Sequence, residues 1–168
     1  GIVINRLMDV ALKRCRVTPG ALVTERSYGT LEVHGPDQGQ VREAGRRMLG
    51  AAGVRPEDGL RPNVMTDEII RAIDDHQAMM INKSRAGMLV LGRDTLYTLE
   101  VNPAVWVLLA ANEAEKAAHV SLVNVTPYGA FGRLYLSGAE AEIDAAAGAA
   151  IAALEGVPGA ASQRFVDK

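Results

Sequence analysis

Several groups of side chains in this sequence could do chemistry, and their spacing argues against most of them. Asp74-Asp75-His76 sets two carboxylates beside an imidazole, the parts of a general acid–base site. The triplet lies in a polar stretch between a strand-like run over residues 64–73 and a short helical run over residues 77–85, which favours a solvated loop. Cys15 with His34 or His119 would make a nucleophile–base pair, but Cys15 falls on the apolar side of a helical pattern and reads as core. His34, His76 and His119 share no ligand spacing, and neither Cys-x-x-Cys nor His-Glu-x-x-His occurs, so no metal site and no catalytic residue is expected. Gly129-x-x-Gly132 stands between two strand-like runs rather than between strand and helix, so it is not a phosphate loop. There remains Glu25-Arg26, opposite charges side by side just before a tight turn. On spacing alone such a pair reads as a solvated hairpin tip, because exposed ion pairs contribute at most about 1 kcal/mol.

The chain that positions these residues has 168 residues, enough for one ordinary domain or two small ones. Hydrophobic residues at 48% and charged residues at 23% exclude a disordered composition. A formal charge of −2 leaves no basic footprint, so no nucleic acid is expected as a partner. Apolar runs such as residues 104–111 are too short to span a bilayer, so no membrane partner is expected either. Aromatics are only 4% while alanine is abundant, which suits close helix-on-sheet packing and leaves little room for an aromatic-lined cofactor pocket. No cofactor is expected.

An internal repeat organises the elements. Residues 4–17 (INRLMDVALKRCRV) lie against residues 107–120 (VLLAANEAEKAAHV), so that Ala11 meets Ala114, Lys13 meets Lys116 and Val17 meets Val120. Ser27-Tyr28-Gly29 lies against Pro127-Tyr128-Gly129, and TLEVHG (30–35) against RLYLSG (133–138). Val41, Ala44, Met48 and Leu49 match Ile143, Ala146, Ala150 and Ile151. Each copy reads helix, strand, tight turn, strand, helix. Ile4, Leu7, Met8, Ala11, Leu12 and Cys15 fall at helical spacing. Asn102 reads as an N-cap and Pro103 as the first helical residue of the matching helix. Strand alternation sets Leu31 and Val33 against Thr30, Glu32 and His34, and sets Val120, Leu122 and Asn124 against Ser121, Val123 and Val125. Residues 95–101 and 87–91 also read as strands, Gly53 and Gly156 as helix stops, and residues 53–62 as the linker between copies. Residues 63–103 have no counterpart before Ile4, so about 40 residues are expected to be missing from the front of the first copy.

NEAEKAA (112–118), PYGAFGRLYLSG (127–138) and ERSYGTLEVH (25–34) together resemble the tandem, circularly permuted bacterial microcompartment (BMC) domain proteins, from residue 4 to about residue 156. The resemblance implies an α+β fold of two permuted BMC domains, each a small antiparallel sheet with helices packed on it. The first would span residues 1–58, without its N-terminal strands, and the second residues 59–168, with a short C-terminal tail. It implies a structural shell protein rather than an enzyme, located in a microcompartment shell in the cytoplasm. Three chains would form a pseudohexameric disc that can stack in pairs. Its partners would be hexameric and pentameric shell proteins, with small metabolites in transit. The resemblance also gives Glu25 and Arg26 a role, as residues that line a central pore and swing to open or close it, with Ser27 and Tyr28 beside them. Thr126, Pro127 and Tyr128 would form a neutral rim at the alternate positions. Lys13 and Lys116 match the lysine that the family places on the disc edge. A trimeric small-molecule-binding regulator, since repeated α+β lobes also make ligand-binding trimers, and an enzyme using Asp75 and His76 are the competing readings.

Overall fold

The helical spacing that begins at Ile4 is realised as far as Arg14. In the computed structural model, which describes residues 1–161, α1 (Ile4–Arg14) buries Ile4, Met8 and Ala11 along one face. The strands β1 (Thr18–Glu25) and β2 (Tyr28–His34) follow as an antiparallel hairpin. Next comes α2 (Gln38–Ala52), started by the Asp37 carboxylate, which accepts from the backbone N–H groups of Gly39 and Gln40. Gly53 stops α2 at φ 74°, a left-handed conformation that glycine adopts without steric cost.

After a 3-10 turn at Pro56–Asp58 the chain enters β3 (Asn63–Ile70), α3 (Asp75–Asn82) and β4 (Thr95–Asn102). The second copy then runs through α4 (Val107–Ala117), β5 (Ser121–Thr126), β6 (Gly132–Gly138) and α5 (Glu140–Glu155). Two compact units result, Gly1–Gly59 with Tyr128–Ala130, and Leu60–Pro127 with the described residues from Phe131. The last residues of the expected C-terminal tail lie outside the described residues. The first unit holds a two-stranded sheet and the second a four-stranded sheet in the order β3-β4-β6-β5, all antiparallel.

The main core lies between that four-stranded sheet and α4 with α5. Tyr97, Leu99, Val101, Leu134 and Leu136 face Val107, Ala110, Ala114, Ile143, Ala146 and Ala150. Alanine on the helix faces is what lets the helices sit close to the sheet. A smaller cluster of Ile73, Ala78, Val90, Leu96 and Val123 fills the opposite face under α3. The first unit buries only Ala11, Cys15 and Ala44 at the centre of its cluster, with Val17, Val33 and Met48 packed around them.

Four expectations are corrected. Asn102 is the last residue of β4, not a helix cap, and Pro103 precedes a separate 3-10 turn at Ala104–Trp106, because Asn102 still pairs with Asn63 in the sheet. Residues 87–91 form no strand; only the Gly87 and Met88 N–H groups bond to β5, at Val123 O and Leu122 O. The alternation of β5 breaks at Val123, where a bulge separates Leu122 (opposite Leu136) from Asn124 (opposite Tyr135). Leu122 and Val125 therefore share the helix-facing side, while Val123 joins the cluster beneath α3. The fourth concerns the turns, described below.

Trp106 belongs to the second unit's core margin. It packs against the main cluster, and its indole Nε1 donates to Leu60 O at 2.9 Å, pinning the linker. Asp74 is the N-cap of α3, accepting from His76 N and Gln77 N, so the Asp74-Asp75-His76 triplet starts a helix.

Candidate functional site

A short hairpin turn holds the charged pair. Glu25 closes β1 opposite Tyr28, the first residue of β2, so Arg26 and Ser27 alone make the turn. Arg26 has φ 51°, the positive value demanded at the first central position of a type II′ hairpin turn. Any side chain there crowds the backbone, at a cost of roughly 1–2 kcal/mol relative to glycine. Glu25, Arg26 and Ser27 are exposed and Tyr28 is half-buried. The turn thus presents one carboxylate and one guanidinium side by side at the tip of a ribbon.

The ladders fix which residues of the second copy correspond. Val23 pairs with Thr30 as Thr126 pairs with Arg133, and the bulges after Pro19 and after Leu122 fall at the same place. One fixed offset, the one that carries Ile4 onto Val107 and Lys13 onto Lys116, therefore runs through both hairpins. It places Tyr128 at the position of Glu25, Gly129 at that of Arg26 and Phe131 at that of Tyr28. Gly129 has φ 87°, so both turns are positive at the same position. The match of Ser27-Tyr28-Gly29 with Pro127-Tyr128-Gly129 is out of register: shared Tyr-Gly letters outweighed the unchanged loop length. Thr126 is the last residue of β5, and Pro127 and Tyr128 follow it into the turn, with Tyr128 41% exposed.

Each lysine carries a carboxylate on its own helix. Lys13 Nζ lies 2.9 Å from Asp9 on α1, and Lys116 Nζ lies 2.8 Å from Glu113 on α4. The hydrogen bond from Lys116 holds the Glu113 carboxyl below the usual glutamate range. Both lysines are exposed and both helices end with a basic last turn, which complements the helix dipole.

Sequence reasoning missed a tether that recurs in both copies. Gln40 on α2 accepts from Arg16 N at 2.9 Å, and Glu142 on α5 accepts from His119 N at 2.7 Å. In each case a side chain near the start of the second helix satisfies a backbone donor just past the end of the first, which fixes the angle of the helix pair. The signal was present as a side chain with the same acceptor oxygen at matched positions, Gln40 and Glu142.

Tandem copies of a helix–hairpin–helix unit, each with a turn residue at positive φ, define a duplicated α+β fold. A family model described as the CsoS1D N-terminal domain matches residues 1–58. The chain is 52% identical over 159 residues to the carboxysome shell protein CcmP of Synechococcus elongatus, covering 95% of this chain and 75% of that protein. Among solved structures it superposes on MSM0275, a fused permuted hexameric shell protein of the RMM microcompartment. That match has a TM-score of 0.89 and 44% identity, over 95% of this chain and 79% of the other. It also superposes on MSM0271, a double ringed trimeric shell protein of the same microcompartment, with a TM-score of 0.91 and 36% identity, over 96% and 80%. The chain belongs to the tandem, permuted shell proteins of bacterial microcompartments, the family of the carboxysome shell proteins CcmP and CsoS1D. It is a structural protein of the shell.

Proposed function

We propose that three copies of this chain form a pseudohexameric tile whose Glu25-Arg26 turns surround a central pore and gate small metabolites. The observation that carries this reading is Arg26 itself. It occupies a positive-φ turn position that the second copy gives to Gly129. A charged side chain kept where glycine fits without strain points to a use for the charge, since strained residues gather where function needs them. Three copies around one axis would bring three carboxylates and three guanidiniums to one ring. Glu25–Arg26 bonds across chains would close the hole, and rotation of the side chains away would open it. Tyr128, Pro127 and Thr126 would alternate with them as an uncharged rim. A mixed ring of charge also sorts anions from cations.

In the same reading, Lys13 and Lys116 meet neighbouring tiles at the disc edge, among hexameric and pentameric shell proteins, and two trimers stack as the double ringed relative does. The work is mechanical: the tile encloses and filters without turning over a substrate. The test of the gate is a crystal structure of the assembled Arg26→Ala variant beside the parent, with solution scattering of both. The expected result is a wider central constriction in the variant; an unchanged constriction in crystal and solution overturns the gate. For the edge, Lys13→Ala with Lys116→Ala should leave trimers intact in sizing and abolish two-dimensional sheets under the electron microscope. Sheets of normal extent would remove the edge role.

A further inference from the structure

α3 turns one side to the sheet and leaves the other bare. Ala78 is buried with Ile73, Val90, Leu96 and Val123, and Ile81 packs beside it. His76, Met79, Met80 and Lys83 fall at the i, i+3, i+4, i+7 spacing of a single stripe, and all four are exposed. Met79 and Met80 are each more than half exposed, and so are Leu89 and Leu91. Asn82 holds this second pair alongside the helix: its amide donates to Val90 O at 2.8 Å, and its side-chain carbonyl accepts from Val90 N at 2.9 Å. The result is an apolar patch that the described residues leave uncovered.

The charges around the patch are sorted by end. Asp74 and Asp75 stand at the start of α3, and Lys83 and Arg85 at and just past its end. Lys83 Nζ lies 3.6 Å from Met80 Sδ, and Arg85 Nη1 donates to Asn82 O at 2.8 Å, so neither base meets a carboxylate among the described residues.

Acid at one end, base at the other and sulfur between them fit a second α3 running the opposite way. A two-fold axis between Met79 and Met80 sets Asp74 across from the partner's Arg85, and Asp75 close to the partner's Lys83. The same pairing recurs at the other end, as an isologous contact requires. Methionine closes the middle, because flexible thioethers adapt to one another's shape. An anionic membrane surface or an acidic peptide would match one end of α3 and be repelled by the other.

We propose that this antiparallel α3 pair is the contact between two rings, and that Met79 and Met80 are a sulfoxidation site that releases it. The contact presupposes that two trimers stack. In the chemical step a sulfur lone pair takes the terminal oxygen of a hydroperoxide. The O–O bond breaks, the sulfoxide forms, and the remainder leaves as water or an alcohol. Sulfur loses two electrons and the peroxide gains them. The new S–O dipole needs hydrogen bonds that an apolar contact does not hold, so it opposes closure. The sulfurs are covered while the rings are stacked, so the peroxide reaches them in the separated state and prevents re-association. Met8, buried in the first unit, is shielded in both states.

The test is sizing with light scattering of the full chain before and after tert-butyl hydroperoxide, with the sulfoxides located by peptide mass. Six-chain particles should become three-chain particles once Met79 and Met80 have each gained one oxygen, with Met8 unchanged, and methionine sulfoxide reductases should restore them. Met79→Leu with Met80→Leu should stay six-chain in the same peroxide, although the exposed Met65 and Met88 are oxidised. Lys83→Glu with Arg85→Glu should weaken stacking about tenfold or more without peroxide, the scale of one charge-assisted hydrogen bond, and keep the parent's far-ultraviolet circular dichroism. Six-chain particles that persist with both sulfoxides in place, or that ignore charge reversal in the folded variant, overturn the proposal and leave stacking standing. A parent that never exceeds three chains overturns stacking and this contact together.

Discussion

Leu134 and Leu31 hold the same place in the two copies, on the helix-facing sides of β6 and β2, yet Leu134 is wholly buried and Leu31 only half. The same holds one pair along: Leu136 is buried and its counterpart Val33 is partly exposed. Their helix partners differ less, since Ala44 and Ala146 are both at 0% exposure. Among the described residues, β4 runs beside β6 from Thr95 opposite Gly138 to Val101 opposite Gly132, while β2 pairs with β1. A repeated pattern of apolar residues therefore sets which face a residue takes, and neighbouring strands decide how much of it is buried.

The largest test of that difference is truncation at the matched leucines. Leu134→Ala should cost about 2–5 kcal/mol, the range for emptying a packed core site. In these 168 residues Leu31→Ala should cost less, no more than about 1 kcal/mol, because part of its surface meets water there. Denaturant unfolding of the full chain, followed by a probe in each unit, reads both; equal costs would mean that the first unit is buried by something not seen in the chain.

A second difference is titratable. Tyr97 on β4 is completely buried, and among the described residues its hydroxyl has no partner at full hydrogen-bonding geometry. Burial, and next the Asp67 carboxylate, push its pKa far above the ordinary tyrosine value. A phenol held neutral when folded supplies stability that is complete below the unfolded value of about 10 and is lost as pH rises beyond it. The second unit should thus unfold in alkali, and Tyr97→Phe should move that transition upward in pH. An unmoved transition assigns alkaline unfolding to other groups.

The turns give the third test. Arg26→Gly should stabilise the first hairpin by about 1 kcal/mol through relief of positive-φ strain, and Gly129→Ala should destabilise the second by at least as much, because its methyl meets both a positive φ and the Glu25 carboxylate. Melting shifts of the same sign would break the correspondence between the turns. The smallest expected effect concerns what the copies share. Gln40→Ala and Glu142→Ala should each cost about 1 kcal/mol, the net worth of one hydrogen bond; a clear inequality would show that one tether is redundant.

Much of this was legible in the residues. The helix phases, the tandem order, the Gly53 stop and the two lysines follow from periodicity and offset, which local backbone geometry obeys. The turn register was misread because two Tyr-Gly pairs matched by letter, whereas hydrogen-bond pairing is blind to letters and kept the offset constant. The β5 bulge was invisible because one extra residue in a strand leaves no mark on composition, although it reverses every side chain beyond it.

Residues close together in the chain set the duplicated helix–hairpin–helix plan, the charged pair at the first turn and the apolar faces, because each of these is local. Long-range pairing set the rest: Gly129 at the position of Arg26, Asn124, Thr126, Arg85 and Arg133 around one cavity, Glu100 within reach of Arg133, and Tyr97 away from water. Those relations join residues far apart in the chain, through a strand register and a bulge that long-range pairing fixes.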